Sequence, residues 1–229
     1  MLSIFQDHYV GFLEATLVTL RLTAVSLLLA VVIGLVIAFL KLSPNRLLNA
    51  AANVYITVIR GTPLIVQLMF LYFGISRLIV LSSFWAGALA LAIHSGAYVA
   101  EIFRGAIQSV DKGQMEASRS LGVPYWHSMR LVVLPQAFRR AVPPLGNQFI
   151  IGLKDSSLVA YLGVPEIYGT ALSIQAENFQ PFETYIVAGM YYLILVLIFT
   201  LLVNRLEARL DVEKQHNEPE APELEYATS

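Results

Sequence analysis

The chain of 229 residues is 57% hydrophobic and 14% charged, with a formal net charge of -1 and a mean hydropathy of +0.66. Ordinary soluble domains carry about 25% charged residues, so this composition describes an integral membrane protein, too short for several domains, whose spans share one bundle. The near-zero charge implies no nucleic-acid partner, and the absence of cysteine excludes disulfides and thiolate metal ligands.

In chain order, the first ten residues hold Asp7 and no basic residue. A secretory signal needs a positive start and a cleavage site, so a retained first span is expected, over residues 13–41. Leu22 to Leu40 are nineteen residues without a charge, close to the roughly 20 that a crossing helix needs. Lys41-Leu42-Ser43-Pro44-Asn45-Arg46 ends it. The second span, 50–76, is interrupted by Arg60-Gly61-Thr62-Pro63, where proline removes a backbone bond and clashes with the carbonyl of Ile59. A kink or break is predicted there, facing the bundle or a path through it, since hydrocarbon cannot satisfy freed backbone groups. The bland alternative is a packing kink. The third span, 84–108, carries Ala88, Ala92, Gly96 and Ala100 on one face, which lets another backbone approach closely. Glu101 and Arg104 can pair across one turn, and His94 and Ser95 are expected to be satisfied core groups rather than ligands.

The segment 109–140 contains Lys112, Glu116, Arg119, Arg130, Arg139 and Arg140, too many charges for hydrocarbon. A short helix is predicted, capped by Asp111, with Glu116 early in it and Gly122 and Pro124 stopping it. Met115, Ser118 and Leu121 are expected along one apolar edge, suited to a groove on another protein or to lipid headgroups. A fourth span, 142–162, holds Asn147, Gln148 and the cluster Lys154-Asp155-Ser156-Ser157. Adjacent opposite charges in a span persist when they face the interior and pair with each other, with backbone or with a ligand. A mostly polar link, 163–183, leads to a fifth span, 184–205. The acidic stretch 211–229, with Pro219 and Pro222 and no apolar period, is expected to be disordered.

Placing the Glu116 loop in the cytoplasm puts eleven of the fifteen basic residues on that side and only Arg77 opposite. The positive-inside rule then selects N-terminus out and C-terminus in. The outer face is expected to be acidic, through Asp7, Glu14, Glu166, Glu177 and Glu183.

The pattern Glu116-Ala117-Ser118, Gly122, Leu134-Pro135 resembles the EAA loop of the membrane subunits of ATP-binding-cassette importers, departing from it at Ser118 and Val132. Further blocks narrow the resemblance to the polar amino-acid (histidine/glutamine-type) permeases: Val58 to Gln67, Ser95 to Gly105, Pro143 to Gln148 and Lys154 to Leu158. The similarity covers about residues 11 to 210. It implies an all-α, polytopic bundle of five transmembrane helices, the type I (MetI-like) transmembrane domain, in a bacterial inner membrane. Glu116, Ala117, Ser118, Gly122, Leu134 and Pro135 would form the coupling segment that meets the partner ATPase. Implied partners are two ATP-binding-cassette ATPase subunits, an extracytoplasmic amino-acid-binding protein, a second permease subunit and membrane lipid.

No phosphate-binding Gly-x-x-x-x-Gly-Lys-Ser/Thr loop occurs, so this chain is expected to hold no cofactor, with ATP and magnesium on the partner. Nor is there a hydrolase elbow or a His-Glu-x-x-His motif, and catalysis by this chain is not expected. A substrate path is expected along Arg60, Gly61, Thr62, Pro63, Asn147, Gln148, Lys154, Asp155, Ser156 and Ser157. A cation such as Arg60 or Lys154 would meet a substrate carboxylate, and Asp155 or the carbonyls near Pro63 its ammonium. The alternative for Lys154-Asp155 and for the intramembrane pair Glu101-Arg104 is a structural ion pair. The substrate expected first is glutamine, with a cationic amino acid as alternative. A secondary transporter would usually show more spans and internal repeats, and a membrane scaffold would have the docking helix without the path.

Overall fold

A computed structural model describes residues 2–74 and 79–210, which are nearly all helical and contain no strand. Arg77, the expected end of the second span at 76, Lys214 and the acidic stretch 211–229 lie outside the described residues. The first helix, α1 (Leu2–Leu42), has 41 residues, about 60 Å at 1.5 Å per residue and twice the thickness of the hydrocarbon core. It begins well before the expected residue 13 because no glycine or proline precedes Gly11, while Asp7 and Glu14 project from it exposed.

After a short turn, α2 (Arg46–Gly61) starts at Asn45, whose side chain accepts the Leu47 N–H at 2.9 Å. It stops before Pro63, and the chain resumes as α3 (Leu64–Met69) with a π turn over Phe70–Gly74, bent by 108° from α2. The proline thus produces a break rather than a kink. The central helix α4 (Ser83–Gln108) leads to α5 (Lys112–Ser120) and α6 (Tyr125–Ser128). A π turn at Met129–Val133 feeds α7 (Leu134–Asp155), which tightens to a 3-10 helix over Ser156–Leu162. Helix α7 therefore begins eight residues before the expected fourth span. Pro143 and Pro144 sit inside it; the carbonyls they leave without donors belong to Arg139 and Arg140, both exposed residues.

The stretch expected to be a polar link contains α8 (Ile167–Asn178), and α9 (Pro181–Leu210) closes the bundle, longer at both ends than predicted. Ile167, Ala171 and Ile174 of α8 are buried, at helical spacing that the neighbouring polar residues mask. Among the described residues α1, α4 and α9 are each long and apolar enough to cross a membrane, and counting each of two bent pairs as one span, α2 with α3 and α7 with α8, brings the total to five.

Helix α4 is the axis of the bundle: 67% of its apolar window is buried, against 33% for α1 and 22% for α9. Its small residues explain this. Ala88, Ala92 and Ala100 are fully buried, and a Cβ on Gly34 of α1 would lie 2.5 Å from Val99 Cγ1 and 2.9 Å from the backbone nitrogen of Ala100. Gly96 faces Ile33 and the Tyr55 hydroxyl in the same way. Hydrocarbon provides no hydrophobic drive between helices, so such close backbone approach supplies the packing energy. Polar residues of α1 are satisfied within the helix: the hydroxyls of Thr19, Thr23 and Ser26 donate to carbonyls four residues back at 3.0, 2.8 and 2.6 Å.

Gly34→Ala should accordingly lower stability by about 1–3 kcal/mol through overpacking. Gly189→Ala, where a Cβ would meet nothing within 4 Å, should not. Thermal unfolding of the purified protein in detergent compares them, and equal midpoints would contradict the packing account.

Candidate functional site

The break at Thr62–Pro63 is held by one side chain. Gln67 lies four residues after the proline, so its amide reaches back one turn and donates to the carbonyls of Ile59 and Thr62 at 2.8 and 3.1 Å and to Thr62 Oγ1 at 2.7 Å. The Thr62 hydroxyl closes on the carbonyl of Val58 at 2.9 Å. With its nitrogen so engaged, Gln67 turns its oxygen to His94 Nδ1 at 3.0 Å, which requires the tautomer with the proton on Nδ1. His94 is thus a half-buried, hydrogen-bonded core group. The Arg60 guanidinium lies 5.0 Å from the centre of the Tyr98 ring, a cation–π distance, and the Tyr55 hydroxyl donates to the carbonyl of Ile93 at 2.6 Å. Gly61, Thr62 and Pro63 are exposed. Arg60 therefore keeps its charge accessible while α4 orients it.

The Glu101–Arg104 pair forms at 2.8 Å, and Lys41 joins it from the end of α1 at 2.7 Å. Both ion pairs found among the described residues use Glu101. Sequence spacing revealed Arg104, one turn away, but not Lys41, which is brought there by the α1–α4 contact. Asn49 also donates to the carbonyl of Lys41, so this cluster ties α1, α2 and α4 together.

Lys154 and Asp155, at the end of α7, form no ion pair with each other. Lys154 is exposed, Asp155 half-buried, Ser156 buried and Ser157 half-buried, and the serine hydroxyls donate to the carbonyls of Leu153 and Lys154 at 2.8 and 2.7 Å. The two charges are adjacent in sequence but make no direct ion-pair contact. Gln148 is buried and Asn147 exposed one turn or more before them.

Glu166 departs most from expectation. It does not belong to an acidic outer face: it is fully buried, accepts the N–H of Gly169 at 2.6 Å and the Tyr192 hydroxyl, and so caps α8 and ties it to α9. Thr19 Oγ1 accepts the N–H of Ile167 at 3.2 Å, adding α1 to the same junction. The available signal was the helical spacing of Ile167, Ala171 and Ile174.

In the charged segment, Asp111 caps α5 as predicted, accepting the N–H of Gly113 at 2.7 Å. The end of α5 is a Schellman turn: Val123 N–H reaches the Ser118 carbonyl and Gly122 N–H that of Arg119, at 3.3 and 3.0 Å. Gly122 there has φ 81°, a conformation costly for a residue with a Cβ. The apolar edge expected from Met115, Ser118 and Leu121 does not exist as one face. Ser118 turns inward, 8% exposed, and donates to Ser128 at 2.7 Å, whereas Leu121 is 84% exposed. Glu116, Ala117, Arg119 and Ser120 form the outward side of α5 with Leu121 and Gly122, Pro135 is exposed, and Leu134 is half-buried. A cavity of about 350 Å³ lies under α5, bordered by Ile107, Met115, Met129 and Val133. Gln136 meets Gln114 at 3.4 Å, and Arg140 donates to the carbonyl and hydroxyl of Ser109, so α7, α5 and the end of α4 are joined. Among the described residues no group of three His, Asp or Glu side chains is placed to hold a metal.

The described residues thus form a helical membrane bundle with one span broken at Thr62–Pro63 and a short helix, α5, exposed in its charged segment. The family described as binding-protein-dependent transport system inner membrane component matches residues 30–212, and the chain belongs to it. The chain is 40% identical over 203 residues to the glutamine transport system permease protein GlnP of Escherichia coli K12, covering 87% of this chain and 93% of that protein. With the arginine transport system permease protein ArtQ of Bacillus subtilis it shares 38% over 200 residues, 86% of this chain and 91% of that one. Among solved structures, an amino acid ABC transporter with histidines superposes with a TM-score of 0.84 at 41% identity, covering 90% of this chain and 96% of the other. The inward-facing MetNI methionine ABC transporter superposes at 0.76 with 19% identity, over 89% and 98%, which shows the shared MetI-type fold. The chain is thus a membrane transport subunit and not an enzyme.

Replacing Gln67 by leucine leaves the Ile59 and Thr62 carbonyls at the break without their donor. The expected loss is about 1–3 kcal/mol, read as a lowered unfolding midpoint in detergent; a midpoint equal to that of the parent protein would show that the break does not depend on this amide.

Proposed function

We propose that this chain is the permease subunit of an ATP-driven importer of polar L-amino acids, with glutamine as its first substrate. The observation that carries the proposal is the likeness, along nearly the whole of both chains, to a glutamine permease and to a solved amino acid transporter. Arginine is the second reading, favoured by the similarity to an arginine permease. An acidic outer surface would also favour cationic substrates, but that ground weakens because Glu166 is withdrawn into the core.

In this reading the chain sits in a bacterial inner membrane with its N-terminus outside and its C-terminus in the cytoplasm, as the distribution of basic residues favours. Two permease subunits, identical or closely related, stand over two ATPase subunits that hold ATP and magnesium, and a binding protein delivers the amino acid from outside. Glu116, Ala117, Gly122 and Pro135 supply the surface that meets the ATPase, while Ser118 and Leu134 support it from behind. Closure of the ATPases moves α5. Because Arg140 and Gln136 bind α7 to the end of α4 and to α5, the displacement passes to the spans as rigid-body rocking.

The substrate path runs past the broken backbone at Arg60 to Pro63, past Asn147 and Gln148, and past Lys154 to Ser157. Arg60 on Tyr98 and the exposed Lys154 suit a carboxylate; the half-buried Asp155 suits an ammonium. The substrate crosses chemically unchanged.

Uptake into vesicles carrying the whole complex tests the cargo: glutamine should compete with labelled substrate, whereas inhibition by arginine or lysine but not by glutamine would transfer the assignment to the second reading. Glu116→Lys should abolish stimulation of ATP hydrolysis by loaded binding protein and leave insertion intact, since the residue is exposed and outside the spans. Loss of the protein from the membrane would instead give Glu116 a structural role.

A further inference from the structure

The turn between α8 and α9 displays two phenyl rings that the rest of the described protein leaves uncovered. Phe179 is 84% exposed and Phe182 is 72% exposed, and three residues of chain hold them within about 11 Å of each other. Phe179 has φ 56° and is the one residue other than glycine with positive φ among the described residues. It ends α8 in the left-handed conformation, its N–H donating to the carbonyl of Gln175 at 3.0 Å. Glycine or asparagine ordinarily fills that position, because a Cβ makes it costly. The turn is locked all the same. Asn178 Oδ1 accepts the N–H of Gln180 at 2.8 Å, Asn178 Nδ2 donates to Thr184 Oγ1 at 3.2 Å, and the Thr184 hydroxyl donates to the carbonyl of Gln180 at 2.8 Å. Thr184 itself is fully buried. The strain at Phe179 is therefore held by this network and not by packing of its ring, which stays outside the protein.

Position along α9 identifies what meets the rings. Tyr185 to Val203 are nineteen residues without a charge, about 28 Å of helix against about 30 Å of hydrocarbon. Met190, Leu193, Leu197 and Leu201 form an exposed stripe along this length, and Phe182 continues that stripe at helical spacing, about 5 Å beyond Tyr185. Tyr185, Tyr168 and Tyr161 gather at the same end, with successive ring centroids 5.9 and 6.3 Å apart. Tyrosines at the end of an apolar span mark the boundary between hydrocarbon and headgroups, and phenyl rings bury themselves about 5–10 Å into that boundary. Glu177 and Glu183, on either side of the turn, oppose any deeper entry.

We propose that the turn 178–182 is a membrane anchor, with Phe179 and Phe182 inserted into the bilayer at the boundary between headgroups and acyl chains. This anchoring requires only that α9 cross the membrane; it is independent of the cargo and of the energy source. The competing occupant of the same rings is a second copy of the chain.

The chain has two tryptophans, Trp85 and Trp126, both exposed. Phe179→Trp and Phe182→Trp, each combined with Trp85→Phe and Trp126→Phe, therefore give a single aromatic reporter at either position without touching the core. In vesicles of zwitterionic lipid, the emission of either reporter is expected to be lost to lipids brominated on the first acyl carbons. It should survive lipids brominated near the chain ends and resist iodide in the water. Emission that iodide quenches and no brominated lipid affects puts the ring in water and overturns the proposal. So does resistance to every quencher, which means that protein covers the ring, and so does quenching strongest near the chain ends, which puts the ring deep in hydrocarbon. Should one variant fail to fold, the other decides.

Discussion

The structure depends on how closely α1 approaches α4. In water, burial of apolar surface would hold two such helices together with wide tolerance for their spacing; in hydrocarbon that drive is absent and contact geometry must replace it. Gly34 against Val99 and Ala100, and Gly96 against Ile33 and Tyr55, are the places where no side chain intervenes. This contact sets the level of α4 relative to everything else. It puts Tyr98 under Arg60, His94 beside Gln67, and Glu101 within reach of Lys41.

A break in a span requires every freed backbone group to find a partner within the protein. At Thr62–Pro63 the requirement is met almost entirely by the Gln67 amide, which serves two carbonyls and the Thr62 hydroxyl, then passes its remaining oxygen to His94. The result is a bend of 108°, beside which the exposed Arg60 guanidinium rests over the Tyr98 ring. The polar end of α7 follows the same rule: the Ser156 and Ser157 hydroxyls donate to the backbone, while Lys154 and Asp155 make no direct ion-pair contact. In both places hydrogen bonds are made locally to the backbone and charged side chains stand exposed or half-buried beside it.

The charged segment 109–140 is tied down at several points and open on the outward side of α5. Its stiffness comes from the Asp111 cap, the Schellman turn at Gly122 and the Ser118–Ser128 bond. Its connection to the spans runs through Arg140 to Ser109 and Gln136 to Gln114. The outward side chains of Glu116, Ala117 and Leu121 take no part in these contacts, and that of Arg119 closes only on the Val123 carbonyl.

Much of this was legible in the residues themselves, because membrane insertion and local backbone chemistry are short-range. Nineteen uncharged residues ahead of Lys41, proline at 63, Asp111 before α5, Gly122 at its end and the small residues at positions 88 to 100 each act within a turn or two of themselves, and each was found where the sequence placed it. The EAA-like spacing carried the family in the same way. Tertiary structure decided what depends on distant partners. Spacing exposed Arg104 as a neighbour of Glu101, but Lys41, sixty residues away, arrives only through the α1–α4 contact. The inward turn of Ser118 follows from Ser128, and the burial of Glu166 from Tyr192 of α9. A polar side chain in sequence reads as surface until the fold supplies its hydrogen-bond partner, and that partner is fixed by packing between helices, which no local pattern contains.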